Sequence, residues 1–192
     1  EVQTGIVLCR PAGRLISKTI IETAEDFVSI KNKLSAYYRL DADISVSSST
    51  GAIVEGAFTG VFDGNGHTVK GLYYNGSKQD AALFAGVRGT VTIKNLVISD
   101  SELITTKNYA AAFAGQIYNS SVVTFENCYI YDNNDQNAAC QRTTGTLVGN
   151  LSHNGTTINN CIVVDNELSA QGIIGGLFGN SSAFGDPITV KN

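Results

Sequence analysis

Two short motifs alternate along the chain, and their alternation limits the possible folds more than any other feature. The first is a small residue, apolar residues and a closing glycine. It reads ALFAG at 82–86, AAFAG at 111–115, GTLVG at 145–149 and GGLFG at 175–179. Its glycines, Gly86, Gly115, Gly149 and Gly179, recur at a spacing of about 30 residues, a period that marks stacked repeats. The second motif alternates apolar residues around an asparagine: TIKNLVI at 92–98, TFENCYI at 124–130 and TINNCIV at 157–163. Its asparagines, Asn95, Asn127 and Asn160, keep nearly the same period, and Asn192 in the final ITVKN continues it. Upstream, FDGNGHTVKGLYY (62–74) extends the register, with Val69, Gly71 and Leu72 expected in the places of Ile93, Asn95 and Leu96. About five coils result, which would stack to roughly 24 Å at about 4.8 Å per coil. A single coil cannot bury its own apolar side, so stacking must complete the core.

The coils are built of strands. Their apolar segments are short, rich in Ile, Val, Thr, Phe and Tyr, and alternate with a period of two. Turn pairs such as DGNG, YNG and HNG punctuate them. Composition agrees: Gly is plentiful at 20 residues, Pro is rare at 2, and charged residues reach only 16 %. The expected fold class is therefore all-β, a parallel β-helix or solenoid, right-handed as parallel crossovers generally are. One segment reads as a helix. Thr23 is placed to N-cap it, Glu25 and Asp26 favour its first turn, and Phe27, Ile30 and Leu34 share a face. Residues 24–34 are expected to form an α-helix that caps the first coil, since an open coil exposes unpaired strand edges. Residues 1–22 form a lead-in with one expected strand, Gly5–Leu8, and 23–192 form the solenoid.

The alternating pattern resembles the GLUG-motif β-helix repeat family. The resemblance is carried by GLFG at 176–179, its variants ALFAG, AAFAG and TLVG, and the intervening IKNL, FENC and INNC. It extends to the lead-in, a short helix followed by YRLDADIS (38–45) and FTGVFDGNGHTV (58–69), and covers roughly residues 20–192. AAFAG lacks the leucine and GTLVG carries valine, departures that leave the fold pattern intact. The resemblance implies a bacterial secreted or surface-anchored protein, in a family that includes regions flanking IgA-specific metallopeptidases. The family has no single activity, so there are no catalytic residues to carry over.

Several groups of residues bear on chemistry. The asparagine column is expected to form an amide ladder from coil to coil. Five positions after each asparagine comes an aspartate, Asp100, Asp132 or Asp165, expected to serve a turn rather than a stacked Ca²⁺ site. Asp41 and Asp43 on one strand, and Asp63 with His67 around the DGNG turn, are the carboxylates a glycosidase would draw on. Nothing in the sequence sets them opposite one another across a cleft. His67 and His153 both fall in turns, and no metal or cofactor is expected. Cys128 and Cys161 fall in an inward column, with Leu72 and Leu96, as small apolar side chains, while Cys9 and Cys140 have no assigned partner. If Cys128 and Ile130 point inward, Tyr129 and Tyr131 point out. Tyr73, Val97 and Ile162 are expected beside Tyr129, and Asn75, Ser99 and Val164 beside Tyr131. An outer face formed by Tyr73, Val97, Tyr129, Tyr131, Ile162 and Val164 is unusually apolar and is either covered or used for binding. Asn75, Asn119, Asn150, Asn154 and Asn180 open N-x-S/T triplets.

The net charge of −4 gives no reason to bind nucleic acid, and no apolar run is long enough to span a bilayer. The expectation is a non-catalytic, extracellular structural or adhesive module of a bacterial surface protein, with a protein or glycan partner. The alternative is a self-assembling subunit of a filament or surface array, because the chain stops at Asn192 in mid-coil and would leave that coil open. A carbohydrate-active enzyme is the third reading.

Overall fold

The computed structural model describes residues 17–46, 54–77, 80–136, 142–152, 155–181 and 188–191. The chain enters on β1 (Lys18–Ile21), passes through α1 (Ala24–Val28) and one 3-10 turn (Ser29–Asn32), and makes a part-coil of β2 (Tyr37–Leu40), β3 (Ile44–Ser45) and β4 (Val54–Phe58). The first full coil holds β5 (Val61–Asp63), β6 (Thr68–Lys70), β7 (Tyr73–Gly76) and β8 (Phe84–Val87). The second holds β9 (Thr90–Lys94), β10 (Val97–Ser99), β11 (Glu102–Thr105), β12 (Tyr109–Ala110) and β13 (Ala114–Ile117). The third holds β14 (Val122–Glu126), β15 (Tyr129–Tyr131), β16 (Asn134–Gln136), β17 (Thr143–Gly145) and β18 (Val148–Leu151). The fourth holds β19 (Thr156–Asn159), β20 (Ile162–Val164), β21 (Glu167–Ser169), β22 (Ile173–Gly175) and β23 (Phe178–Ser181), and β24 (Thr189–Lys191) then pairs with β19.

The result is a parallel β-solenoid of four complete coils with part-coils on either side. Its first side is the sheet β1-β2-β5-β9-β14-β19-β24, and its second is β3-β6-β10-β15-β20. The third comprises the pairs β7-β11 and β16-β21, the fourth β12-β17-β22, and the fifth β4-β8-β13-β18-β23. Such short strands suffice because neighbouring coils complete the core that each strand only lines. Along the first side, Tyr38, Phe62, Ile93, Phe125 and Ile158 pair in register and form one inward column. Ile44, Val69, Ile98 and Ile130 form the corresponding column on the second. Aromatic rings fill the centre: Phe58 stacks on Phe84 at 4.2 Å, Phe62 meets Phe84 edge-on at 5.7 Å, and Phe113 meets Phe125 at 5.8 Å. Each buried ring contributes about 1.5–3 kcal/mol through the water it sheds.

Thr23 caps α1 as the sequence suggests, and Asp26 completes a capping box. The Thr23 Oγ1 accepts the Asp26 N–H at 3.1 Å, and Asp26 Oδ2 accepts the Thr23 N–H at 3.1 Å. The α-helix is shorter than the expected 24–34. The Ser29 hydroxyl donates to the Asp26 carbonyl at 2.6 Å, and the chain tightens into the 3-10 turn. Phe27 and Ile30 are buried as expected, with Phe27 edge-on to Phe62 at 6.4 Å, so the helical segment packs on the core of the opening coils. The expected strand Gly5–Leu8 and Asn192 lie outside the described residues.

Two register expectations need correcting. Val69 pairs with Ile98 and Phe62 with Ile93, so Gly71 occupies the place of Asp100 and not that of Asn95. Each coil turns twice in succession through left-handed backbone, at Asn95 (φ 52°) and Asp100 (φ 51°) in the second coil. Gly71 (φ 73°) serves the second of these corners, while the first is widened by the longer Gly64–His67 turn. Gly86 is likewise displaced by one position from the glycine column. Ala114 pairs with Phe84 and Gln116 with Gly86, which puts Ala85 beside Gly115. The inward apolar column sets the register, and the glycine follows from close packing. A Cβ on Gly149 would lie 2.7 Å from the Gly115 carbonyl oxygen and 2.9 Å from the Tyr109 Cβ.

Candidate functional site

The corners explain most of the polar residues that repeat. Asn127 Nδ2 donates to Asn95 Oδ1 at 3.0 Å, and Asn160 Nδ2 to Asn127 Oδ1 at 2.8 Å. The ladder begins on a carboxylate, Asn95 Nδ2 donating to Asp63 Oδ1 at 3.0 Å. These asparagines also hold φ near +50°, a conformation asparagine tolerates better than most residues. Asp100, Asp132 and Asp165 share that backbone at φ 50–51°, which accounts for their spacing without a cation. A second ladder escaped the sequence reading: the buried Asn133 donates to Asn166 Oδ1 at 2.9 Å, and its own Oδ1 accepts the Ser101 N–H at 3.0 Å. Among the described residues no three His, Cys, Asp or Glu side chains group as a metal site requires.

The carboxylates considered for glycoside chemistry are engaged in holding turns. Burial alone would raise the Asp63 pKa. Hydrogen bonds from Asn95, the Asn65 N–H and the Tyr37 hydroxyl outweigh it, with Lys94 Nζ 3.5 Å away, and hold the carboxyl below its ordinary value. Asp43 is also held low, by the Thr68 N–H at 2.9 Å and by His67, whose Nδ1 is 3.2 Å away. Asp41 lies 3.3 Å from Arg39. A general acid needs the opposite shift. Cys128 is buried and Cys161 half-buried in neighbouring coils, both as free thiols. Interaction with the Cys161 thiol, together with burial, pushes Cys128 up, and the same interaction draws Cys161 down. Leu72, expected in their column, takes the place of Ser101 instead, because of the register shift at Gly71. Cys9, Cys140, His153 and Asn154 lie outside the described residues.

Over the second side, β10, β15 and β20 carry exposed or half-buried apolar residues. In β10, β15 and β20 the central residue turns inward and the flanking two turn out. One outward row runs Thr68, Val97, Tyr129, Ile162, and the next runs Lys70, Ser99, Tyr131, Val164. The Tyr129 and Tyr131 rings lie 5.0 Å apart, tilted by 32°. Exposure is 37 % at Tyr129, 55 % at Ile162 and 37 % at Val164, with Val97 and Tyr131 half-buried. Tyr73 does not join them. It pairs with Glu102 on the third side, because the register shift at Gly71 moves it further along the coil. Asn75 moves with it and pairs with Ile104. Ser99 keeps its expected place but is buried.

The fifth side carries a different outer surface that the sequence did not single out. Two hollows open there, of about 270 and 380 Å³, with Tyr118 lining both. Asp80 lines the first, and burial pushes its carboxyl up against the opposing pull of the Tyr109 and Asn108 N–H groups and Lys107. No described helix is long and apolar enough to cross a membrane.

No protein-family model matches the chain, and no curated protein matches it. Among solved structures, the fold is similar to that of a "putative immunoglobulin A1 protease" from Bacteroides ovatus. The TM-score is 0.60 at 17 % identity, and the match covers 93 % of this chain and 66 % of that one. At this identity the likeness is one of fold, and this chain accounts for 66 % of the neighbour's length.

Proposed function

We propose that this chain is a non-catalytic structural and adhesive module of a bacterial surface protein of the GLUG-repeat kind, working outside the cell. The observation that carries the reading is the second side's outer face. Tyr129, Tyr131, Ile162, Val164 and Val97 form a contiguous apolar surface on strands whose backbone is fixed by neighbouring coils. Such a face on a rigid sheet loses little entropy when a protein partner covers it. The neighbour's name raises proteolysis, and with it immunoglobulin A1, as a competing idea. The hydrogen bonding of Asp43, Asp63 and His67 supports the non-catalytic reading, because those groups hold turns together.

Surface plasmon resonance of the chain over immobilised immunoglobulin A1, fibronectin and collagen tests the reading. Saturable binding to one of them is expected, weakened at least tenfold by Tyr129→Ser combined with Ile162→Ser at unchanged melting temperature. Equal binding by the variant, or no binding to any of the three, would overturn it. Incubation of immunoglobulin A1 with the chain should leave the antibody intact, and specific fragments would restore an enzymatic reading.

Self-association is the second reading, favoured by Ile173, Ile174 and Val190, large apolar residues exposed on and beside the fourth coil. Light scattering across concentration separates the two. Growth in mass that Ile173→Ser with Ile174→Ser abolishes would favour assembly, and a constant monomer mass would remove it.

A further inference from the structure

The geometry points to a binding trough for a linear glycan on the outer face of the fifth side, away from the apolar face of the second side. Two rows of side chains run there parallel to the stacking axis. One row is Ala57, Gly86, Gln116, Asn150 and Asn180, set by strand register. The other is Arg88, Tyr118 and Ser152, which follow β8, β13 and β18 and bond back to the preceding coil through their N–H groups. The first hollow spans Gly56 and Ala57, Asp80 and Gly86, then Lys107 and Tyr118 in three successive turns of the chain. The second continues past Tyr118 to Arg88, Gln116, Asn119 and Ser152.

The chemistry of this lining suits a chain of hydroxylated rings. The floor is low at Ala57, and at Gly86 the missing side chain makes room for the Tyr118 ring. Tyr118 leans over Gly86 so closely that a Cβ there would lie 2.6 Å from its ring. The Arg88 guanidinium sits 4.7 Å from the Tyr118 ring centre, which fixes the ring as a wall between the hollows. Beyond it lies a linked set of amides: Asn180 Nδ2 donates to Asn150 Oδ1 at 3.0 Å, Asn150 Nδ2 to Ser152 Oγ at 2.7 Å, and Gln116 Nε2 to Ser152 Oγ at 3.3 Å. Ser152 accepts two bonds, so its own hydrogen is left to donate, and the amides are held in place before any ligand arrives. Polar groups on this face recur at the coil spacing of about 4.8 Å, close to the length of one pyranose residue. A glycan laid along the axis would therefore present successive rings to Gln116, Ser152 and Asn180 in neighbouring coils, with an apolar contact at Tyr118. Recognition by a few fixed polar groups around an aromatic wall is how small-ligand sites obtain orientation.

A broad array of linear oligosaccharides, neutral and uronate-containing, probed with the labelled intact chain, tests the inference, followed by titration calorimetry on the best hexasaccharide. Binding is expected to at least one linear glycan. Tyr118→Ala and Gln116→Ala should each weaken it at least tenfold, Tyr118→Phe should retain most of it, and Tyr129→Ser on the second side should leave it unchanged. Melting temperatures confirm that each variant folds, and Gln116→Ala keeps the test alive if Tyr118→Ala does not. No retention of any linear glycan, or binding indifferent to Tyr118→Ala and Gln116→Ala, would overturn the proposal. Loss on Tyr129→Ser alone would move the glycan to the apolar face and overturn it equally.

Discussion

Replacing Asn127 by alanine and, separately, by glycine divides the energy of a corner into its two sources. Asn127 sits at φ 52° and makes two ladder bonds, to Asn95 at 3.0 Å and from Asn160 at 2.8 Å. Both substitutions delete the bonds, each worth about 0.5–1.5 kcal/mol net in a typical setting. The ladder bonds are exposed, so the lower half of that range applies, about 1–2 kcal/mol for the pair. Alanine must in addition hold a left-handed backbone, at a cost of about 1–2 kcal/mol, which glycine escapes. The expected loss is thus about 2–4 kcal/mol for Asn127→Ala, and smaller by at least about 1 kcal/mol for Asn127→Gly. In a chain of this length that gap corresponds to about 2–4 °C in melting temperature. Urea unfolding followed by far-ultraviolet circular dichroism measures it, provided both variants keep the wild-type slope. Equal destabilisation by the two substitutions would refute the backbone part of this reasoning. No destabilisation by either would show that the ladder contributes nothing to holding coils together.

Three further outcomes follow from the same geometry. Gly149→Ala should destabilise by more than about 1 kcal/mol in thermal melts, because its Cβ meets the Gly115 carbonyl and the Tyr109 Cβ. The folded Asp63 pKa lies below its unfolded value of about 3.9. Its contribution should therefore be complete above that pH and lost as pH falls through the folded pKa, so Asp63→Asn should flatten the acid limb of a stability–pH profile. Alkylation read by mass spectrometry should label Cys161 in the native protein, and Cys128 only once the chain is unfolded, since Cys128 is buried and its thiol is pushed up.

What the sequence disclosed, and what it concealed, follow from how a solenoid is held together. Ile93, Phe125 and Ile158 must fit the same inward column and Asn95, Asn127 and Asn160 the same corner, so these positions repeat and can be read from spacing alone. The first coil departs from the spacing pattern because glycine and asparagine both serve left-handed corners. Gly71 matches the pattern of Asn95 while belonging to the corner of Asp100, and Tyr73 accordingly lies on the third side. The Asn133–Asn166 ladder hid for a similar reason, lying immediately beyond an aspartate column that drew attention by its charge. The helix boundary turned on a local contest for one carbonyl, at Ser29, that helical periodicity does not record.

The outer faces differ again, because nothing in the stacking requires them to repeat. Gly86, Gln116, Asn150 and Asn180 occupy one row with three side-chain types, so the fifth side has no sequence signature although its backbone register is strict. Tyr118 and Asp80 meet around one hollow from different coils, further apart in sequence than one repeat is long. The same freedom lets one scaffold keep an apolar face on its second side and a polar, hollowed face on its fifth. Residues on these two faces are separated by a core of rings and branched side chains that is buried regardless of what either face displays. Substitutions on one face should therefore leave binding at the other intact, as distant sites with no shared partners generally do. Pairing Tyr129→Ser with Gln116→Ala in one chain and comparing it with the single variants measures that independence. A double variant whose stability loss exceeded the sum of the two by more than about 0.5 kcal/mol would mean that the core transmits strain from side to side.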